Sequence, residues 1–357
     1  MTEPEMTEPD LVAARSRERR IAQSPRFKDG RFWNTTRVEM MQSFQPSMAW
    51  EFLAGRRGRS PRVELPIFDR TRAMLSTAPA LHGLRVTWLG HSTLLIEIDG
   101  VRLLTDPVWG GRIGPLALGP KRFHQPPLAL SELPEIDAVV LSHDHYDHLD
   151  AWTIRALAKG AAMGFSGRVI TMLGVGAHLE RLGIAPENIV ELDWGEGTRV
   201  GNVDVVAAPA QHFSGRGALD RNRTLWGAFC LLGPRHRIFF SGDTGPTAEH
   251  ADIGSSFGPF DIAMFEIGAF HPAWGTIHLG PDGACEAFSR IRARALLPIH
   301  WSTFDLGLHP WEEPAEQLFV RATSEQLPLW MPRIGEPLTT QSAEALPWWR
   351  DALALGA

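Results

Sequence analysis

Apolar positions along the chain fall into short runs, most of them closed by Gly, Asp, Asn or Pro. Runs of this kind, alternating with period two or wholly apolar, predict β-strands. They cover residues 85–90, 93–98, 101–105, 137–142, 168–172, 203–208, 225–232, 237–241, 261–266 and 295–299. Asp99-Gly100 joins the second and third as a hairpin signal. Helical spacing predicts helices over 151–159, 177–182, 282–291 and 314–323. Strands come first, helices intervene, and more strands follow. Two β-rich halves with outer helices suggest an α/β fold of the αββα sandwich type.

The pattern also divides the chain. Met1-Thr2-Glu3-Pro4 recurs as Met6-Thr7-Glu8-Pro9, and residues 1–23 are too polar to bury much surface, so a disordered tail is expected there. Residues 24–80 lack clear periodicity. Within them Met40, Met41, Phe44, Met48, Trp50, Phe52 and Leu53 form an apolar cluster, followed by Arg56, Arg57, Arg59 and Arg62. This extension either packs on the catalytic domain or presents a surface to lipid or to a second copy in a homodimer. Residues 81–345 form the expected catalytic domain. A tail at 346–357 carries Pro347-Trp348-Trp349-Arg350, which is expected to pack back on the domain.

Composition adds limits. Hydrophobic residues make up 44% of the 357, enough for a substantial core. Lys and Arg number 35 against 41 Asp and Glu, a net charge of −6 that argues against a dedicated nucleic-acid binder. The two cysteines, Cys230 and Cys285, make no disulfide framework. No run is long and apolar enough for a membrane span, and the N-terminal stretch lacks the apolar core of a secretory signal. Cytoplasmic residence is the expectation, with membrane association through residues 40–62 as an addition to it.

The chemistry concentrates in residues 143–148, which read His-Asp-His-Tyr-Asp-His. His143 and His145 fall on one side of an extended or turning backbone and can grip one ion. Asp147 and His148 lie past the bend and can reach a second. The string directly follows a buried-type strand, where α/β sheets place their sites. Three more groups each follow an apolar run: His212, Asp243 and His300. A buried charge at a strand end needs a partner, and a shared metal supplies one. Imidazole and carboxylate donors suit zinc, with iron or manganese as alternatives.

These residues carry a resemblance. The string 143–148 with His212, Asp243 and His300 resembles the binuclear hydrolases of the metallo-β-lactamase superfamily. Val86-Thr87-Trp88-Leu89-Gly90-His91-Ser92-Thr93, Leu104-Thr105-Asp106-Pro107, Gly119-Pro120-Lys121-Arg122-Phe123, Ser131-Glu132-Leu133-Pro134 and His300-Trp301-Ser302-Thr303-Phe304 narrow it. They are similar to the N-acylphosphatidylethanolamine-hydrolysing phospholipase D group, over about residues 85 to 310.

The resemblance implies two zinc ions. His143, His145 and His212 would hold the first; Asp147, His148 and His300 the second; Asp243 would bridge them. Antibiotic-cleaving members of the superfamily typically carry Cys at the bridging position, so the fold's name does not give the activity. It further implies a phosphodiesterase of phospholipase D type, in which Asp147, Asp243 and His278 take part in catalysis and Asp106 orients ligands from behind. Two cations roughly 3.5 to 4 Å apart activate a shared water for in-line attack. His278 would stabilise an oxygen or protonate the leaving group, or else cap the helix that follows. Asp106 would fix a ligand imidazole, or serve a turn. His91 is either a support behind the ligands or a satisfied loop histidine. Tyr146 packs over the ligand loop, and Trp109, Trp274 and Trp301 wall a pocket or fill the core. A lactonase, a nuclease or cyclic-nucleotide phosphodiesterase with the same metals, and a non-catalytic metal-binding module are the competing readings.

Overall fold

The computed structural model describes residues 8–36, 38, 58–77, 83–162, 164–217, 219–271, 274–340 and 345–356, with side chains from residue 15 onward. The apolar runs become strands β3 (Leu84–Gly90), β4 (Thr93–Ile98), β5 (Val101–Thr105), β6 (Ala138–Leu141) and β7 (Val169–Met172), and β8 (Ile189–Leu192) follows them. The later half supplies β9 (Gly197–Val200), β10 (Val203–Ala208), β11 (Ala228–Leu232), β12 (Arg237–Phe240), β13 (Ile262–Glu266), β14 (Leu296–Ile299) and β15 (Pro337–Thr339). A small hairpin, β1 (Phe27–Lys28) with β2 (Arg31–Phe32), precedes them.

One sheet runs β15-β3-β4-β5-β6-β7-β8 and the other β14-β13-β12-β11-β10-β9. Each is mixed. Hairpins such as β3–β4–β5 pair antiparallel, whereas β5 through β8 are parallel, and so are β12, β13 and β14. Of the parallel strands, β6, β7, β13 and β14 are buried throughout, which explains their unbroken apolar runs. A single buried cluster takes in Ile96 and Val140 of one sheet and Phe229 and Phe240 of the other. Helices flank the sheets, among them Ala151–Ala158, Gly176–Arg181, Glu249–Phe257, Gly280–Ile291 and Glu313–Glu325. Among the described residues no helix is long and apolar enough to cross a membrane.

Some expectations need correction. Residues 8–23 are a helix, not a disordered tail. Tertiary ion pairs order its second half: Arg17 meets Glu180 and Glu191 at 2.5 Å each, and Arg20 donates to the Glu191 carbonyl at 2.6 Å. A polar composition therefore found its partners in the body of the fold. Within the extension, Arg59 packs on the domain, buried and ion-paired to Asp305 at 2.8 Å. Met40 to Arg57 lie outside the described residues. The C-terminal segment packs back as read: Trp348 and Trp349 open a helix, Trp348–Gly356, and donate to the Pro332 carbonyl at 3.0 Å and to Glu316 at 2.9 Å. Strands β8, β9 and β15 and helix Glu249–Phe257 escaped the reading, since they are short, half-exposed or interrupted by Glu, Arg and Pro.

Candidate metal centre

The ligand string leaves the end of β6, a strand buried between β5 and β7, and turns at once. Asp106, just past β5, holds that turn. Its Oδ1 accepts the Ser142 N–H at 2.7 Å and its Oδ2 accepts the Ser142 hydroxyl at 2.6 Å. The same Oδ2 lies 2.7 Å from His148 Nδ1, so that nitrogen carries the proton and Nε2 is left free. Ser142 Oγ, already donating to Asp106, can only accept from His143 Nδ1 at 2.9 Å, which frees His143 Nε2 in the same way. Asp106 is thus buried behind two candidate ligands.

The remaining groups arrive from the other sheet and from loop ends. His212 follows β10; its Nδ1 donates to the Ile277 carbonyl at 3.0 Å, leaving Nε2 for the centre. Asn34, from the N-terminal extension, clamps the His212 backbone on both sides, accepting its N–H at 3.0 Å and donating to its carbonyl at 2.7 Å. Asp243 follows β12 through Gly242, whose φ of 54° lets the chain turn inward. His300 follows β14, and its N–H donates to the His91 carbonyl at 3.0 Å. Gly268 lies against this bend, where a Cβ would meet the His300 carbonyl at 1.9 Å. His91, Asp106, His300 and Ser302 all have positive φ (53°, 31°, 65° and 58°), so left-handed backbone gathers at the centre.

Seven side chains named from sequence meet here, in two groups whose ligand atoms lie within 4.8 Å of one another. One is His143, His145, His212 and Asp243; the other is Asp147, His148 and His300, joined by His91. His145 Nδ1 is 2.8 Å from His143 Nε2 and 3.3 Å from His212 Nε2. Asp243 lies between the groups: Oδ2 is 3.7 Å from His212 Nε2 and 3.2 Å from His300 Nε2, and Oδ1 is 3.2 Å from His148 Nε2. His91 Nε2 touches Asp147 Oδ2 at 3.0 Å and thereby steadies that carboxylate.

The residues fit metal ions. His148 Nε2, Asp243 Oδ1 and both ring nitrogens of His300 are buried with no hydrogen-bond partner. Orphaned buried polar atoms each cost about 1–3 kcal/mol, and His148 Nε2, Asp243 Oδ1 and His300 Nε2 lie around shared space that a cation would satisfy. The titration tells the same story. Burial pushes His143 and His212 well below the ordinary imidazole value, leaving them neutral as ligands must be. Burial also disfavours charge on His148 and His300, but Asp243 and the carboxylates beside it outweigh that and hold both up, His300 to about 10. Asp147 and Asp243 are buried, yet the surrounding imidazoles hold them well below the carboxylate range. Two buried anions here attract protons, and metal cations would take their place.

His278 stands at the edge. A ligand atom of its ring lies within 4.8 Å of Asp243 and His300, and its Nδ1 is 3.2 Å from Glu266. It is not bound into the helix that starts at Gly280; the backbone N–H of Leu279 takes Glu266 as its acceptor instead. Tyr146 packs over the loop, its ring 3.9 Å from the Arg216 guanidinium and its hydroxyl donating to the Arg216 carbonyl at 2.9 Å. Trp301 belongs to the core, stacked on Trp88 at 5.4 Å, whereas Trp109 and Tyr146 line a cavity of about 560 Å³.

Sequence reading missed Asn34, Asp144 and Glu266. Asp144 is buried and accepts the Gly215 N–H at 2.8 Å and the Thr224 hydroxyl at 2.9 Å, so it braces the loop beyond His212. Its place inside the metal string was a signal, and so was the Glu266 charge at the end of an apolar strand. Asn34 carried none.

Known proteins are similar to this chain. The model of the Beta-lactamase superfamily domain matches residues 101–301. An uncharacterized protein of Mycobacterium tuberculosis is 41% identical over 341 residues, 92% of this chain and 88% of its own. N-acyl-phosphatidylethanolamine-hydrolyzing phospholipase D 1 of Caenorhabditis elegans is 38% identical over 248 residues, 66% of this chain and 69% of its own. An isothiocyanate hydrolase structure from Delia radicum gut bacteria has the same fold, at a TM-score of 0.57 and 19% identity over 73% of this chain and all of that one. With matched family, two mixed sheets and paired His/Asp clusters together, the chain belongs to the metallo-β-lactamase superfamily, as a metal-dependent hydrolase.

Proposed function

We propose that the protein is a phosphodiesterase of phospholipase D type with a two-zinc centre. The observation that carries the reading is Asp243, a carboxylate set between two clusters of imidazole and carboxylate donors. His143, His145 and His212 would hold one ion and Asp147, His148 and His300 the other, with Asp243 between them. Bound divalent ions supply an activated water and neutralise charge on a non-bridging oxygen. This chain's part is to aim the reaction. Asp106, Ser142 and the Ile277 carbonyl fix three ring orientations, and His91 fixes the Asp147 carboxylate, to which this reading gives a part in catalysis. His278 faces the same space from the opposite edge.

Two observations favour a lipid-like diester. The Caenorhabditis relative is named for hydrolysing N-acyl-phosphatidylethanolamine. Beside the ligand loop, the cavity lined by Trp109, Ile113, Leu116, Tyr146 and Trp152 offers apolar wall, with Arg112 and Arg155 at its rim for a phosphate or an anionic surface. The test is a panel on zinc-loaded protein: bis-p-nitrophenyl phosphate, N-acylated phospholipid, cyclic nucleotides and lactones. Turnover of diesters with two metals per chain is expected. Turnover of lactones alone would replace this reading with a lactonase, and metal binding without turnover would leave a binding module.

A further inference from the structure

Glu266 is the last residue of β13 and wholly buried, yet no Arg or Lys pairs with it among the described residues. Its Oε1 accepts the Leu279 N–H at 2.6 Å and lies 3.2 Å from His278 Nδ1; Oε2 has no partner. A lone buried carboxylate is costly unless its hydrogen bonds serve a purpose. Both of its partners lie in one short segment, 278–279, and that segment is pinned elsewhere. The Ile277 carbonyl accepts from His212, the Thr276 carbonyl accepts the Gln211 side-chain N–H at 3.0 Å, and Gly245 lies so close that a Cβ would meet Thr276 O at 1.7 Å. The segment is therefore registered against the metal centre, and Glu266 sets the ring that ends it.

We infer that Glu266 is a positioning residue that orients His278 as the proton donor to the leaving oxygen. The inference rests on the phosphodiesterase reading. With Nδ1–H tied to the carboxylate, the nitrogen left for the substrate is Nε2. In the step, the water oxygen bonds to phosphorus and the phosphorus–leaving-oxygen bond breaks with its electron pair going to that oxygen. In the reacting form both ring nitrogens carry protons: His278 passes its Nε2 proton to the leaving oxygen and keeps Nδ1–H on Glu266, while the proton lost by the attacking water passes to bulk solvent. A carboxylate behind the ring keeps Nε2 aimed through the transfer, as in other acid–base pairs where a third group orients the imidazole. The competing account is a helix cap, since Leu279 N–H precedes helix Gly280–Ile291. The two differ in what they affect: a cap acts on stability, a positioned acid on the need for a good leaving group.

The experiment compares wild type with Glu266→Gln and His278→Gln, zinc-loaded, on aryl phosphodiesters ranging from p-nitrophenyl to unsubstituted phenyl. For Glu266→Gln, kcat is expected to fall on the order of 100-fold on the phenyl ester and far less on the p-nitrophenyl ester, whose leaving group needs little help. KM and metal content should hold, and the double variant should be no slower than His278→Gln alone. Histidine-labelled NMR of the metal-free protein gives a second readout: His278 protonated at Nδ1 in wild type, and no longer locked there in Glu266→Ala. Equal loss on every ester, or a lowered melting temperature with unchanged leaving-group dependence, would reduce Glu266 to a cap. If wild type cleaves no diester at all, the functional reading fails, and the NMR result alone decides whether Glu266 holds the ring.

Discussion

Asp106 shows how much can rest on one side chain that faces no substrate. Its two oxygens accept from the Ser142 backbone, the Ser142 hydroxyl and His148, and every one of those partners is a donor. Asp106→Asn puts an N–H against a donor, and the expected loss is about 10–100-fold in metal affinity or activity, read by zinc titration with a chelating dye. Unchanged affinity would mean that the His148 tautomer is set by the metal alone. At this scale the candidate ligands were legible because their spacing is chemical: His and Asp at strand ends have few structural uses. Asn34 was not, since its hydrogen bonds to His212 cross 178 residues of sequence and an amide in a loop looks like any other. Asp106 and His91 were readable only as alternatives, since their contacts with Ser142, His148 and Asp147 cross 36 to 56 residues of sequence.

Among the elements, the strands with unbroken apolar runs were read to within a residue at each end, apart from β11, read three residues early at Leu225, because burial on both faces leaves no polar positions to mislead. The misses are edge elements. β8 carries Glu191, which serves Arg17 and the amides of Gly174 and Gly176, and β9 is half-exposed, so neither shows the period of its fold. The join between β13 and the His300 bend gives an element-scale prediction. Gly268→Ala would drive a methyl into the His300 carbonyl, and overpacking of this kind costs about 1–3 kcal/mol. A denaturant melt should show that loss, and zinc affinity should fall with it because His300 is displaced. A variant with normal stability and normal zinc binding would show that the bend can shift freely.

For the molecule as a whole, three histidines outside the proposed ligand set are held neutral mainly by burial, His91, His124 and His250, each pushed down to about 3. Between about pH 3 and 6.5 the unfolded chain binds protons that the folded chain refuses, so stability rises with pH there and is lost on acidification. By pH 5 each such group costs on the order of 2 kcal/mol. The melting temperature should therefore drop steadily below pH 6.5, and His250→Gln should flatten the slope; an unchanged slope would place the acid sensitivity elsewhere. Metal adds a separate term. Zinc at a hundredfold over its dissociation constant should raise folding stability by about 2.7 kcal/mol, and chelation should remove it together with turnover. The left-handed residues at the centre have a kinetic consequence. His91, Asp106, His300 and Ser302 are fixed in their turns by strands and hydrogen bonds behind them. The cradle accordingly exists before its cargo arrives, so capture of the ions should follow a simple time course set by their entry and dehydration, with no accompanying change in circular dichroism.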